Sequence, residues 1–251
     1  MKVSIKVYGE RNSGTNFLEQ LLEKNLEVHV LKFQPKWHHL LLLRLIRYDF
    51  IEDFVFFLQR KEILGWKHGR PRIEEIKQYQ KSRLAVITIT KNPYAYLLSM
   101  HRNPYHFKGK KEKKIIDFLK QRWYLRRRDL CELDYLESPI SLWNMKNRSY
   151  LDLKGQVSND VINLSYEALL KNPESIVQSI ANELSVRLKN RGQFQNVNFS
   201  TKNSKRAFQD YRKYYLNAEY QKDLSPPSID FINQSLDMDV VSRFGYKVLS
   251  S

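Results

Sequence analysis

A chain of 251 residues with 43 Lys and Arg against 27 Asp and Glu carries a formal charge of +16, which gives length for one large α/β domain with a full core and a surface that favours anionic ligands. Its single cysteine, Cys131, excludes an intramolecular disulfide framework and reads as a small structural side chain. No Gly/Ser/Pro-rich linker divides the sequence, so residues 1–251 are expected to form one domain.

Residues 2–8 alternate Val3, Ile5 and Val7 on one face, as a first strand does, and residues 16–25 space Phe17, Leu18, Leu21 and Leu22 as a helix does. Between them Gly9 and Gly14 stand as in loops that wrap phosphate oxygens with backbone N–H groups at a helix N-terminus. A nucleoside-triphosphate loop continues with Lys for the β/γ-phosphates and Ser or Thr for Mg²⁺; here those positions hold Thr15 and Asn16. An anion cradle without that lysine or that metal ligand suits a donor other than Mg-ATP.

Residues 27–33 predict a second strand, and 36–61, rich in Leu, Phe and Arg, a helix. The stretch 40–58 is the one candidate for the ~20 apolar residues of a membrane span, but Arg44, Arg47, Asp49, Glu52 and Asp53 break it into an amphipathic pattern. With no apolar leader ahead of the first strand, the expectation is a soluble, cytoplasmic protein. The short apolar run 63–66 predicts a strand leading into a loop, Lys67-His68-Gly69-Arg70-Pro71. A helix is expected over 73–80, and 84–90, with Leu84, Val86, Ile87 and Ile89, is the clearest core strand. It runs into Lys91-Asn92-Pro93, where Pro93 suits the first turn of a helix and Ser99 falls about two turns along it. Basic stretches follow at 108–114 and 126–128, with helices expected around Trp123 and Tyr124. A helix over 141–153, a strand over 161–164 and a helix over 166–184, punctuated by Pro173, come next. Lys202, Lys205 and Arg206 then precede an aromatic segment with Tyr211, Tyr214 and Tyr215. The alternation implies a three-layer α/β fold with a mostly parallel central sheet, a phosphate-loop-like turn and helical insertions forming a cap.

Several of these segments, in this order, resemble the sulfotransferases that use 3′-phosphoadenosine 5′-phosphosulfate (PAPS). Asn12-Ser13-Gly14-Thr15-Asn16 is similar to the family's loop for the 5′-phosphosulfate, and Lys91-Asn92-Pro93 with Ser99 to its Arg-Asn-Pro motif and following Ser for the 3′-phosphate. Lys67-His68-Gly69-Arg70-Pro71 is similar to Lys-Thr-His-X-Pro, whose His is the catalytic base, and Tyr166-Glu167 to a segment whose Tyr lies at the adenine. The resemblance implies a metal-independent sulfuryl transfer to a hydroxyl or amine, on a carbohydrate or another hydroxylated, possibly acidic acceptor, leaving adenosine 3′,5′-bisphosphate. Specific nucleic-acid binding is not expected.

The resemblance also assigns roles. Arg11, Asn12, Ser13, Gly14, Thr15, Asn16 and Phe17 would hold the phosphosulfate. The family's loop cation falls on Asn12, leaving Arg11 to neutralise the leaving phosphate. Lys91 and Ser99 would clamp the 3′-phosphate. His68 would take the acceptor's proton, with Lys67 at the sulfuryl oxygens and Glu19 as the reserve base. Tyr166 fits either adenine packing or the core. Lys202, Lys205 and Arg206 fit a 3′-phosphate clasp, an acceptor site or a solvated face. His38 and His39 lack the Cys or carboxylate partners of a metal site, so no metal is expected. Two other classes stay open: a P-loop-kinase-like phosphotransferase, and a non-catalytic polyanion-binding protein motivated by the charge.

Overall fold

A computed structural model describes residues 2–33, 49–105, 112–198 and 207–250. Strands β1 (Val3–Gly9), β2 (Val28–Val30), β3 (Leu84–Thr90) and β6 (Asp160–Ser165) form a parallel sheet in the order β2-β1-β3-β6, while β4 (Trp123–Tyr124) and β5 (Tyr135–Leu136) make a separate antiparallel ribbon. The helices are α1 (Thr15–Asn25), α2 (Asp49–Leu58), α3 (Arg60–Ile63), α4 (Ile73–Lys77), α5 (Pro93–Arg102), α6 (Ile115–Leu119), α7 (Pro139–Gln156), α8 (Tyr166–Lys171), α9 (Pro173–Glu183), α10 (Phe208–Leu216), α11 (Pro226–Ser235) and α12 (Met238–Arg243).

The sheet is covered on both faces, as parallel sheets are. Val3, Ile5 and Val7 pack with Leu18, Leu21 and Leu22 of α1 and Val177 and Ile180 of α9. The alternate residues of β1, which in a half-exposed strand would meet water, are buried as well: Tyr8 joins Val86, Tyr150 and Leu153 on the opposite face. Lys6, 1 % exposed, donates to the carbonyls of Ile63 (2.5 Å) and Gly65 (2.7 Å). The three-layer α/β arrangement with a parallel sheet therefore stands.

Three local expectations are corrected. Residues 63–66 form no strand: Leu64 (φ 54°) and Gly65 (φ 79°) are left-handed, and the turn's carbonyls accept from Lys6 and Tyr8 instead of a ladder. Trp123 and Tyr124 lie in the β4–β5 ribbon rather than a helix, because Trp123 is pinned edge-on against Tyr105 and Phe118. The helix expected over 166–184 is two, broken at Asn172 (φ −148°), whose side chain caps α9 by accepting from Ser175 N, with Pro173 at the first helical position. Among the described residues no helix is long and apolar enough to cross a membrane. Residues 34–48, and with them His38 and His39, lie outside the described residues.

Candidate active site

The strand order places a switch point between β1 and β3: from β1 the chain moves outward to β2, then returns to β1's other side. Loops leaving the carboxyl ends of these neighbours diverge and open a crevice there. Gly9 pairs with Ile89, so both loops start at one level. The close fit demands glycine, since a Cβ on Gly9 would stand 2.5 Å from the Ile89 carbonyl oxygen.

After Gly9 the chain turns tightly. Asn12 is left-handed (φ 66°), and the Glu10 carbonyl accepts from both Ser13 N (3.2 Å) and Ser13 Oγ (2.6 Å). Ser13 is 0 % exposed and spends its polar atoms on the turn, so it shapes the loop rather than lining it. Gly14 (φ 89°) then starts α1 with no side-chain cap, whereas Asn92, Ser138 and Ser165 cap α5, α7 and α8. The first N–H groups of α1 therefore point out of the loop beside the positive end of the helix dipole, the arrangement that binds anions. Tyr166 lies against Gly14, where an added Cβ would meet its ring at 2.4 Å.

The Lys67–Pro71 loop is tied to the same strand end: Gly9 N donates to the Lys67 carbonyl (2.9 Å), and His68 Nδ1 lies 2.7 Å from the Gly9 carbonyl. A carbonyl only accepts, so Nδ1 carries the proton and Nε2 keeps its lone pair. Burial first, then the positive charges of Lys67, Arg11 and Lys146, hold the His68 imidazole well below its ordinary pKa despite its bond to Gly9. Lys67 Nζ donates to Asn16 Oδ1 and Glu19 Oε2, both at 2.5 Å. Glu19 is 5 % exposed and occupied with that lysine. Arg11 lays its guanidinium over the Tyr105 ring, 4.8 Å from the centroid.

Past β3, Lys91 turns inward. Its Nζ donates to Ser99 Oγ (3.0 Å) and the Asn12 carbonyl (3.3 Å) and sits 3.9 Å over the Tyr215 ring. At 1 % exposure it lies beneath the wall formed by Ser99 and Tyr215. Burial pushes the Tyr215 phenol up, but the Lys91 charge and hydrogen bonds from Lys91 and Ser99 pull it below its ordinary value.

These parts surround one cavity of about 430 Å³. Arg11, Asn12, Gly14, Thr15, Asn16, Phe17 and His68 line it, together with Ser99 and Tyr166. Ser13, Glu19, Lys67 and Lys91 stand behind this lining, and Lys202, Lys205 and Arg206 lie outside the described residues. Sequence reasoning gave no role to Arg102, Phe208, Tyr211 and Tyr215, which also line the wall. Arg102 carried a usable signal, since it follows Ser99 by one helical turn on the same face. It is held by the Tyr214 hydroxyl (2.7 Å) and Asp223. The residues of α10 carried none, because stacking of Phe208 on Phe17 (5.5 Å) is a purely tertiary contact. Among the described residues no group of three or more His, Cys, Asp or Glu side chains forms a metal-binding cluster.

No protein-family model matches the chain, and no curated protein matches it. Among solved structures, a sulfotransferase domain from the curacin biosynthetic pathway aligns over 99 % of this chain and 99 % of its own, with a TM-score of 0.50 and 14 % sequence identity. The chain thus has a sulfotransferase-like fold.

Proposed function

We propose that the chain is a sulfotransferase that takes its sulfuryl group from PAPS and delivers it to a hydroxyl or amine of a carbohydrate or other hydroxylated acceptor. One observation carries this reading: a single cavity is lined both by the uncapped N-terminus of α1 with Arg11 and His68 and by Ser99 with Arg102 from α5. A donor with separate 5′- and 3′-anionic groups suits a cavity lined by both sets. Ser99 and Arg102 would hold the 3′-phosphate, with the Lys91 charge beneath them, and Tyr166 would border the nucleoside.

In the reaction the acceptor oxygen forms a bond to sulfur as the bond from sulfur to the 5′-phosphate oxygen breaks. The acceptor's proton passes to His68 Nε2, and the charge growing on the leaving phosphate falls on the α1 N–H groups and Arg11. His68 suits this role because its depressed pKa keeps it neutral near pH 7. Lys67 steers Asn16 and Glu19 at the cradle's edge rather than meeting the donor alone.

The test is incubation with PAPS and a panel of glycan, phenolic and aliphatic hydroxyl acceptors without metal, following release of adenosine 3′,5′-bisphosphate. Acceptor-dependent release supports the reading. Turnover of Mg-ATP with none of PAPS overturns it in favour of a phosphotransferase.

A further inference from the structure

Lys146, in the middle of α7, is 0 % exposed, yet its ammonium is shared among four other segments. Nζ donates to Asp129 Oδ1 at 2.5 Å and to the His68 carbonyl at 2.7 Å, and stands 3.4 Å from the Tyr105 hydroxyl and 3.7 Å from Glu10 Oε1. Glu10, 1 % exposed, accepts from the Tyr96 hydroxyl at 3.0 Å and immediately precedes Arg11. The Asp129 carbonyl accepts from Arg70 N at 3.0 Å, on the far side of His68. A buried ion cluster of this kind is weak as a stabilising device, because apolar replacements often serve stability as well or better. Its placement offers a different reason. His68 is held at both ends, its ring by the Gly9 carbonyl and its own carbonyl by Lys146, and the same ammonium faces the carboxylate that starts the anion-binding turn.

We infer that Lys146 is a positioning residue: through the His68 carbonyl and Glu10 it locks the base loop and the Arg11 turn in one register, so that proton acceptor and anion cradle meet the acceptor in a fixed geometry. The part of this inference that concerns turnover rests on the proposed sulfuryl transfer; the coupling of Lys146 to the His68 ring does not. The charged groups around that ring are Lys67 on its own loop, Arg11 from the anion-binding turn and Lys146 from α7, with Glu19 behind Lys67 and Glu10 and Asp129 behind Lys146.

The experiment compares Lys146→Met, Lys146→Arg and the double variant Lys146→Met/Asp129→Asn, which removes charge from both sides should the single change fail to fold. Each is checked for folding by circular dichroism, then for kcat, donor KM and the NMR titration midpoint of His68. Lys146→Met, or the double variant in its place, is expected to lose roughly ten- to a hundredfold in kcat, the cost of a misplaced group, with donor KM within about threefold. In Lys146→Met the His68 midpoint moves up, since a neighbouring cation no longer opposes the imidazolium; in the double variant the lost Asp129 charge offsets that shift, and kcat against donor KM is the readout. Lys146→Arg keeps the charge, and its midpoint stays near the wild-type value with kcat largely recovered. A folded variant with unchanged kcat and midpoint overturns the inference. Absence of transfer in the wild type would count against the proposed function, and the midpoint comparison alone would then decide the coupling.

Discussion

At His68 a single hydrogen bond decides what the ring can do. Because the Gly9 carbonyl occupies the Nδ1 proton at 2.7 Å, Nε2 is left as the acceptor of a ring whose residue lines the cavity. The His68→Ala variant should therefore lose about 10²–10⁴ in turnover while binding adenosine 3′,5′-bisphosphate within a few fold of the wild type. Single-turnover rates beside calorimetry check this, and unchanged turnover would move attention to Glu19. The pH dependence has a definite sign. A base works in its neutral form, and His68 is depressed by burial and neighbouring cations, so the acid limb of kcat/KM should lie below the ordinary histidine value of about 6.5. Gly14 offers a separate test. Its φ of 89° and a Cβ position 2.4 Å from the Tyr166 ring mean that Gly14→Ala displaces that ring and weakens bisphosphate binding at least tenfold, by rough count. Gly155, helical and with nothing within 4 Å of its Cβ position, is the control: Gly155→Ala should raise stability by roughly 0.5–1 kcal/mol in chemical denaturation.

Among the elements, those with strong local signals were legible and those that depend on distant partners were not. Strands β1 and β3, helix α1 and the Pro-started α5 follow from apolar periodicity, glycine spacing and Pro93, and these elements bring Arg11, Asn12, Gly14 and Ser99 to the cavity that His68 also lines from its own loop. The turn at 63–66 was misread because an apolar run cannot reveal that Lys6, far from it in sequence, would claim its carbonyls. Residues 123–124 were misread because a two-residue ribbon has no period to detect. Helix α10 had recognisable aromatics but no visible destination, and its Tyr215 proves to cover Lys91. Removing that ring in Tyr215→Ala strips Lys91 of its aromatic face and Ser99 of a hydroxyl neighbour 3.5 Å away. Titration should then show roughly tenfold weaker bisphosphate binding, with ADP much less affected; equal losses for the two ligands would place Tyr215 at the nucleoside instead.

For the molecule as a whole, a charge of +16 directs attention to anions, but the lysines that hold the site together are buried ones no composition reveals. Lys6, on the interior strand β1, holds the turn at 63–66, and Lys146 holds the His68 carbonyl and faces Glu10. Lys6 also predicts a property of the entire fold. Burial lowers its pKa from about 10.5 to about 7. Between those values the unfolded chain binds the proton that the folded chain has released, so this group makes stability rise with pH, with its full benefit above about 10.5 and its loss as pH falls through about 7. Lys6→Met should remove up to about 1.4 kcal/mol per pH unit of that slope, read as the difference between wild-type and variant urea melts over the window. Parallel curves would mean that Lys6 keeps its proton when buried.

The proposed function makes the cavity a site for a nucleotide with a 3′-phosphate. Its most direct test is calorimetric titration with adenosine 3′,5′-bisphosphate and with ADP, both without Mg²⁺, on the wild type and Lys91→Ala. The bisphosphate should bind much more tightly than ADP, and Lys91→Ala should erase most of that preference, a loss of roughly ten- to a hundredfold for a hydrogen-bonded charge. Equal binding of the two nucleotides, or binding of neither by folded protein, would contradict it.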